Sequence, residues 1–145
     1  MDIAALVAWI VTAGGGIYLV ATWLAAGGVS GRGEAATRLP VPVVFAHALV
    51  AVVGLILWII YLVTDTRALA WVSFVLLLVI AVAGLVMVMR WLPAFQARRA
   101  IASGSGVQVG APPEARFPVA VVGLHGVLAV ATVVLVLLSA LQIGS

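Results

Sequence analysis

The chain of 145 residues holds two histidines, and each closes the same ten-residue phrase. Arg38-Leu39-Pro40-Val41-Pro42-Val43-Val44-Phe45-Ala46-His47 is matched by Arg116-Phe117-Pro118-Val119-Ala120-Val121-Val122-Gly123-Leu124-His125. Arginine, proline, three valines and histidine fall at the same places, 78 residues apart from 47 to 125. Weaker likeness continues through Ala51/Ala129, Val52/Val130 and Leu57/Leu135. Imidazole is both a proton carrier near neutral pH and a common metal ligand. A duplicated histidine inside apolar sequence therefore predicts paired ligation. There is no cysteine, which excludes disulfides, iron–sulfur ligation and a thiolate haem ligand. There is no lysine either, which excludes a Schiff base, so the chemistry left to this chain is histidine chemistry.

The elements that must position these histidines follow from hydropathy. With 66% hydrophobic and 8% charged residues and a mean hydropathy of +1.38, the composition is that of an integral membrane protein. Ile3–Ala26, Val43–Val63, Leu69–Trp91 and Pro118–Leu141 each supply the roughly 20 apolar residues that cross a bilayer as a helix. Asp2 stands where a signal peptide carries positive charge, so the first run reads as a retained helix. Thr64-Asp65-Thr66-Arg67 offers capping residues for a tight antiparallel hairpin between helices two and three. The other connections, Gly27 to Leu39 and Pro93 to Phe117, are richer in Gly, Ser, Pro and Arg, and a mobile loop is expected over about 93–117. The expected fold is all-α: one four-transmembrane-helix up-down-up-down bundle, an internal pseudo-twofold repeat of two helical hairpins with halves near 1–64 and 65–145.

Arginine placement predicts orientation. Arg32, Arg38, Arg90, Arg98, Arg99 and Arg116 flank one side and Arg67 the other, so both long loops are expected in the cytoplasm and both termini outside a bacterial cytoplasmic membrane. Helices two and four then run parallel, each behind an arginine and a proline suited to a first helical turn, with both histidines at one depth. In such a bundle they occupy diagonal corners about 12–14 Å apart, too far for a direct hydrogen bond but suited to clasping a flat macrocycle. A b-type haem ligated by His47 and His125 is the expected cofactor. Ala46, Ala48 and Ala51, with Gly123, Gly126 and Ala129, are its expected low walls. Arg38 and Arg116, with Arg90, Arg98 and Arg99 as further candidates, are expected to meet its propionates.

Competing constellations are weaker. The membrane segments hold no carboxylate or thiolate to complete a zinc site with two histidines. Met87 and Met89 point to different faces of a helix and read as packing or lipid contacts. Asp2, Glu34, Asp65 and Glu114 lie at ends or in loops, which disfavours a carboxylate proton relay. Gly14-Gly15-Gly16 permits close approach, as a packing face, a kink or room for a cofactor edge or quinone, and Gly84 is expected to serve similarly on helix three. The five tryptophans read as an interfacial aromatic belt. Thr12, Tyr18, Thr22, Ser73, Thr132 and Ser139 read as membrane hydroxyls able to bond back to their own helices.

In its four-span layout and two histidine ligands the chain resembles the small four-helix membrane cytochromes. Members of that class with two haems carry two histidine pairs, whereas this chain has one. The resemblance implies electron transfer or redox sensing, with a quinone or a redox partner protein exchanging electrons, within a quinone-linked or haem-dependent oxidoreductase component. The alternative is a cofactor-free accessory or assembly subunit whose small-residue faces join a homodimer or larger membrane complex. No nucleic-acid surface is expected.

Overall fold

A computed structural model describes residues 1–30, 36–106 and 110–143. Arg32 and Glu34 lie outside them. The described chain forms α1 (Asp2–Ala25), α2 (Val41–Thr64), α3 (Arg67–Ala102) and α4 (Val119–Ala140), with a 3-10 turn at Pro113–Arg116. All four α-helices are long and apolar enough to cross a membrane, which makes this an integral membrane protein of helical-bundle type. α1 packs most extensively on α4 and α2 on α3, while the α1–α2 and α3–α4 contacts are sparser.

Local sequence accounts for the ends. Pro40 and Pro118 are N-caps in extended conformation, not first-turn residues as expected, and their carbonyls accept from Val43 and Val44, and from Val121 and Val122, respectively. α2 and α3 are joined through Asp65 and Thr66 alone. Neither caps through its side chain: Asp65 turns the chain in the left-handed region at φ 53° and its N–H returns to Tyr61. α1 and α3 end in six-to-one and five-to-two backbone bonds around Gly27 and Gly104, which supply positive φ at that position.

α3 departs from its expected end at Trp91. It runs through Pro93 to Ala102, 36 residues or about 54 Å at 1.5 Å each, well beyond a hydrocarbon core of about 30 Å. Pro93 removes one ladder hydrogen bond, a cost that tertiary contacts offset. Trp91 and Ala94 are buried, Trp91 stacks on Phe95 at 5.1 Å, and Arg98 Nη1 donates to the Ala115 carbonyl at 3.0 Å. Much of the expected loop over 93–117 is thus helix or tied down, although residues 107–109 lie outside the description.

The tryptophans also differ from expectation. Trp9, Trp23, Trp58 and Trp91 are buried in the core, and Trp71 alone is exposed, at 37%. The reason is steric: glycines opposite two of the indoles leave room for them. A Cβ at Gly54 would meet Trp9 at 3.0 Å, and one at Gly28 would overlap the Trp23 ring. Two clusters result. One joins Trp9, Trp58, Tyr61, Leu77 and Val136; the other joins Trp23, Leu39, Val44, Trp91 and Phe117. Met87 packs beside the second and Met89 is exposed, as expected.

Gly28→Ala is accordingly predicted to destabilise the protein by about 1–3 kcal/mol, the usual cost of overpacking. Thermal unfolding in detergent, read by tryptophan emission, checks this. Gly14→Ala, at a site with no neighbour within 4 Å, should leave the melting point near that of the wild type.

Candidate functional site

His47 on α2 and His125 on α4 are both half-buried, and their ring centres lie 6.5 Å apart with the planes at 50°. The structure therefore brings together the two residues on which the sequence repeat ends. Each ring is backed by glycine on the helix its own helix packs against most. A Cβ at Gly84 of α3 would meet His47 Cε1 at 3.4 Å, and one at Gly16 of α1 would meet His125 Cε1 at 3.1 Å. Gly15 is similarly close, at 3.5 Å from His125 Nδ1. The glycine triplet does not break α1; two of its members make room for an imidazole.

Hydrogen bonding distinguishes the two rings. His125 Nδ1 lies 2.9 Å from the Thr12 carbonyl. A carbonyl only accepts, so the proton sits on Nδ1 and Nε2 carries the lone pair. This is how a ligating histidine is usually oriented. His47 Nδ1 is buried and makes no hydrogen bond, although the Ile80 backbone on α3 interacts with its ring. Thr12 also bonds back to Ala8 and approaches Thr132 at 3.4 Å, and Thr132 bonds back to Leu128, which fixes α1 against α4 beside the site.

The other expected site residues have varied surroundings. Ala51 packs against the Trp9–Trp58 cluster, and Ala129 is half-buried. Gly123 and Gly126 are exposed on α4, with no atom of a neighbouring element within 4 Å of an added Cβ, so they are not gathered against the pair. Arg38, Arg90, Arg98, Arg99 and Arg116 are all exposed. Arg99 lies 5.7 Å above the Phe95 ring. No cluster of three or more metal-ligating side chains occurs among the described residues.

One polar constellation escaped the sequence reading. Glu114, expected as a loop acid, is fully buried at 0% exposure. Its Oε1 accepts from the Arg38 backbone N–H at 2.7 Å and its Oε2 from the Thr37 hydroxyl at 2.9 Å. Thr37 Oγ1 accepts in turn from Trp23 Nε1 at 2.9 Å and from the Leu39 N–H at 3.2 Å. The segments preceding α2 and α4, which carry the two copies of the repeat, are thus fastened to each other and to α1. The usable signal was that Thr37 and Ala115 are repeat mates, so Glu114 adjoins the start of the second copy.

At the opposite end, Arg67 Nε donates to the Ala140 carbonyl at 3.3 Å and the Tyr61 hydroxyl to Asp2 at 3.3 Å. Ser73 reaches across to the Gly54 carbonyl instead of its own helix. Compared with known protein families, curated proteins and solved structures, the chain matches none of them.

Proposed function

We propose that this protein is a membrane b-type haem protein for electron transfer or redox sensing, in which His47 and His125 would hold one haem. The observation that carries this reading is the 6.5 Å separation of the two rings. Metal–imidazole bonds are about 2 Å and a ring centre stands about 1 Å behind its nitrogen, so two imidazoles that share one metal would have centres no more than about 6 Å apart, close to the separation seen here. A further feature supports it. The Thr12 carbonyl leaves Nε2 of His125 as the ligating atom. A purely structural role accounts for His125 through the Thr12 carbonyl, while His47 Nδ1 sits buried beside the Ile80 backbone without a hydrogen bond of good geometry.

Bound haem supplies one-electron chemistry; the chain supplies the ligands and their orientation. The matching caps of α2 and α4, with the Tyr61–Asp2 and Arg67–Ala140 contacts, support the up-down-up-down order and the pseudo-twofold repeat of hairpins. The arginines near the Pro93–Phe117 end support a cytoplasmic placement of both long loops. A single haem near that side needs a quinone or redox partner for transmembrane electron flow across about 30 Å. The accessory-subunit alternative needs small-residue faces open to a partner: Gly15 and Gly16 are taken up by His125, whereas Gly14, Gly123 and Gly126 face outward and keep that reading as the second one.

A reduced-minus-oxidised visible spectrum of protein expressed with haem tests the reading. A b-type low-spin signal is expected, and a folded protein that stays colourless with added haem overturns it. The glycine cradle adds a graded prediction. Gly16→Val, which drives a branched side chain into the His125 ring and shifts the proposed ligand, should weaken haem binding about tenfold or more. Gly14→Val leaves occupancy unchanged. The haem-to-protein absorbance ratio measures both.

A further inference from the structure

A cleft of about 280 Å³ opens at the far end of α3, away from the histidines. Phe95, Ala102, Phe117 and Val119 form its apolar walls, and Arg98 and Arg99 its charged edge. It lies between the stretch of α3 that continues past Pro93 and the start of α4, where a 36-residue helix outruns the hydrocarbon core and meets the headgroup layer. Its volume falls just below the roughly 300–1,000 Å³ of a site that encloses a whole small molecule, which suits part of an amphiphile.

Its charge is one-sided. Both arginines are exposed, and no acid lines the cleft. Glu114, the nearest acid in sequence to Phe117, is committed to Thr37 and Arg38. Arg98 is steadied by one bond to the Ala115 carbonyl, which leaves its other N–H groups available. Arg99 is held over Phe95 at 5.7 Å, inside the range of a cation–π contact. α4 begins at Val119 on the cleft wall and adds the positive end of its helix dipole.

We infer that this cleft binds the head of an anionic phospholipid, its phosphate on Arg98 and Arg99 and its glycerol against Phe95, Ala102, Phe117 and Val119. The acyl chains continue into the bilayer along the apolar surface of the helices. This site is independent of haem, and it withdraws Arg98 and Arg99 from the residues expected to meet propionates.

Native mass spectrometry of the full chain, delipidated and offered phosphatidylglycerol or phosphatidylcholine of identical acyl chains, tests the assignment. Phosphatidylglycerol is expected to be retained as a one-to-one adduct with at least about fivefold preference, the effect of one well-placed arginine near a membrane surface. Arg99→Gln should erase about that factor, while Arg90→Gln, outside the cleft, should keep it. Melting of each lipid-free variant shows whether it is folded, and the wild-type discrimination between the two lipids decides the matter if a variant is not. Equal retention of both lipids, or equal losses in Arg99→Gln and Arg90→Gln, overturns the site. Displacement of the lipid by inorganic phosphate alone also overturns it, in favour of a free-anion site.

Discussion

Loss of the low-spin b-type signal is the expected result for both His47→Ala and His125→Ala. The two rings belong to helices on opposite packed pairs, 6.5 Å apart, and each supplies one axial ligand in the proposed site. Removing either leaves at most one protein ligand, which is incompatible with bis-histidine ligation. The double variant should therefore be no worse than either single one, because the two ligands act as a unit and their losses do not add. His125→Asn separates ligation from packing, since its amide N–H₂ can donate to the Thr12 carbonyl without offering an imidazole nitrogen. If the hydrogen bond is the purpose of His125, the asparagine variant keeps wild-type stability and spectrum. If ligation is the purpose, the spectrum is lost while α1 and α4 stay packed. Unchanged spectra in both alanine variants rule out this ligand pair.

The spans and the histidine pair were legible in the sequence because the signals are strong and local. An apolar run of the right length has few alternatives in a chain this hydrophobic, and a repeated phrase marks its own important residue. The run of α3 past Pro93 was not legible, because proline's local penalty is visible and the compensating contacts of Trp91, Phe95 and Arg98 are not. The tryptophans were misplaced for a similar reason. A belt position and a core position look alike in sequence, and the choice depends on Gly28 and Gly54 leaving room opposite the rings. Gly15 and Gly16 stand out in the sequence, but their partner His125 is over a hundred residues away, and no local pattern joins them. The walls expected from Gly123 and Gly126 rested on sequence nearness to His125. On a helix such neighbours project in other directions.

Glu114→Ala is expected to cost about 1–3 kcal/mol, because it removes the buried acceptor of the Thr37 hydroxyl and the Arg38 N–H and unfastens the loops that enter α2 and α4. Glu114→Gln makes the sharper test. The Thr37 oxygen already accepts from Trp23 and Leu39, so its own proton must be donated, and Arg38 offers a second N–H. The site thus asks for two acceptor oxygens, which a carboxylate provides and an amide does not. Glutamine satisfies one donor and turns its N–H₂ group toward the other, so its destabilisation should fall near that of alanine although its volume is almost that of glutamate. Thr37→Val, which removes the relay between Trp23 and Glu114 while preserving shape, should also destabilise, and combining it with Glu114→Ala should cost less than the sum of the two. Thermal unfolding of the four proteins in one detergent measures this coupling. Strict additivity would mean that the hydrogen-bonded chain does not act as a unit. A glutamine variant as stable as wild type would mean that the buried carboxylate is replaceable by any polar group of its size.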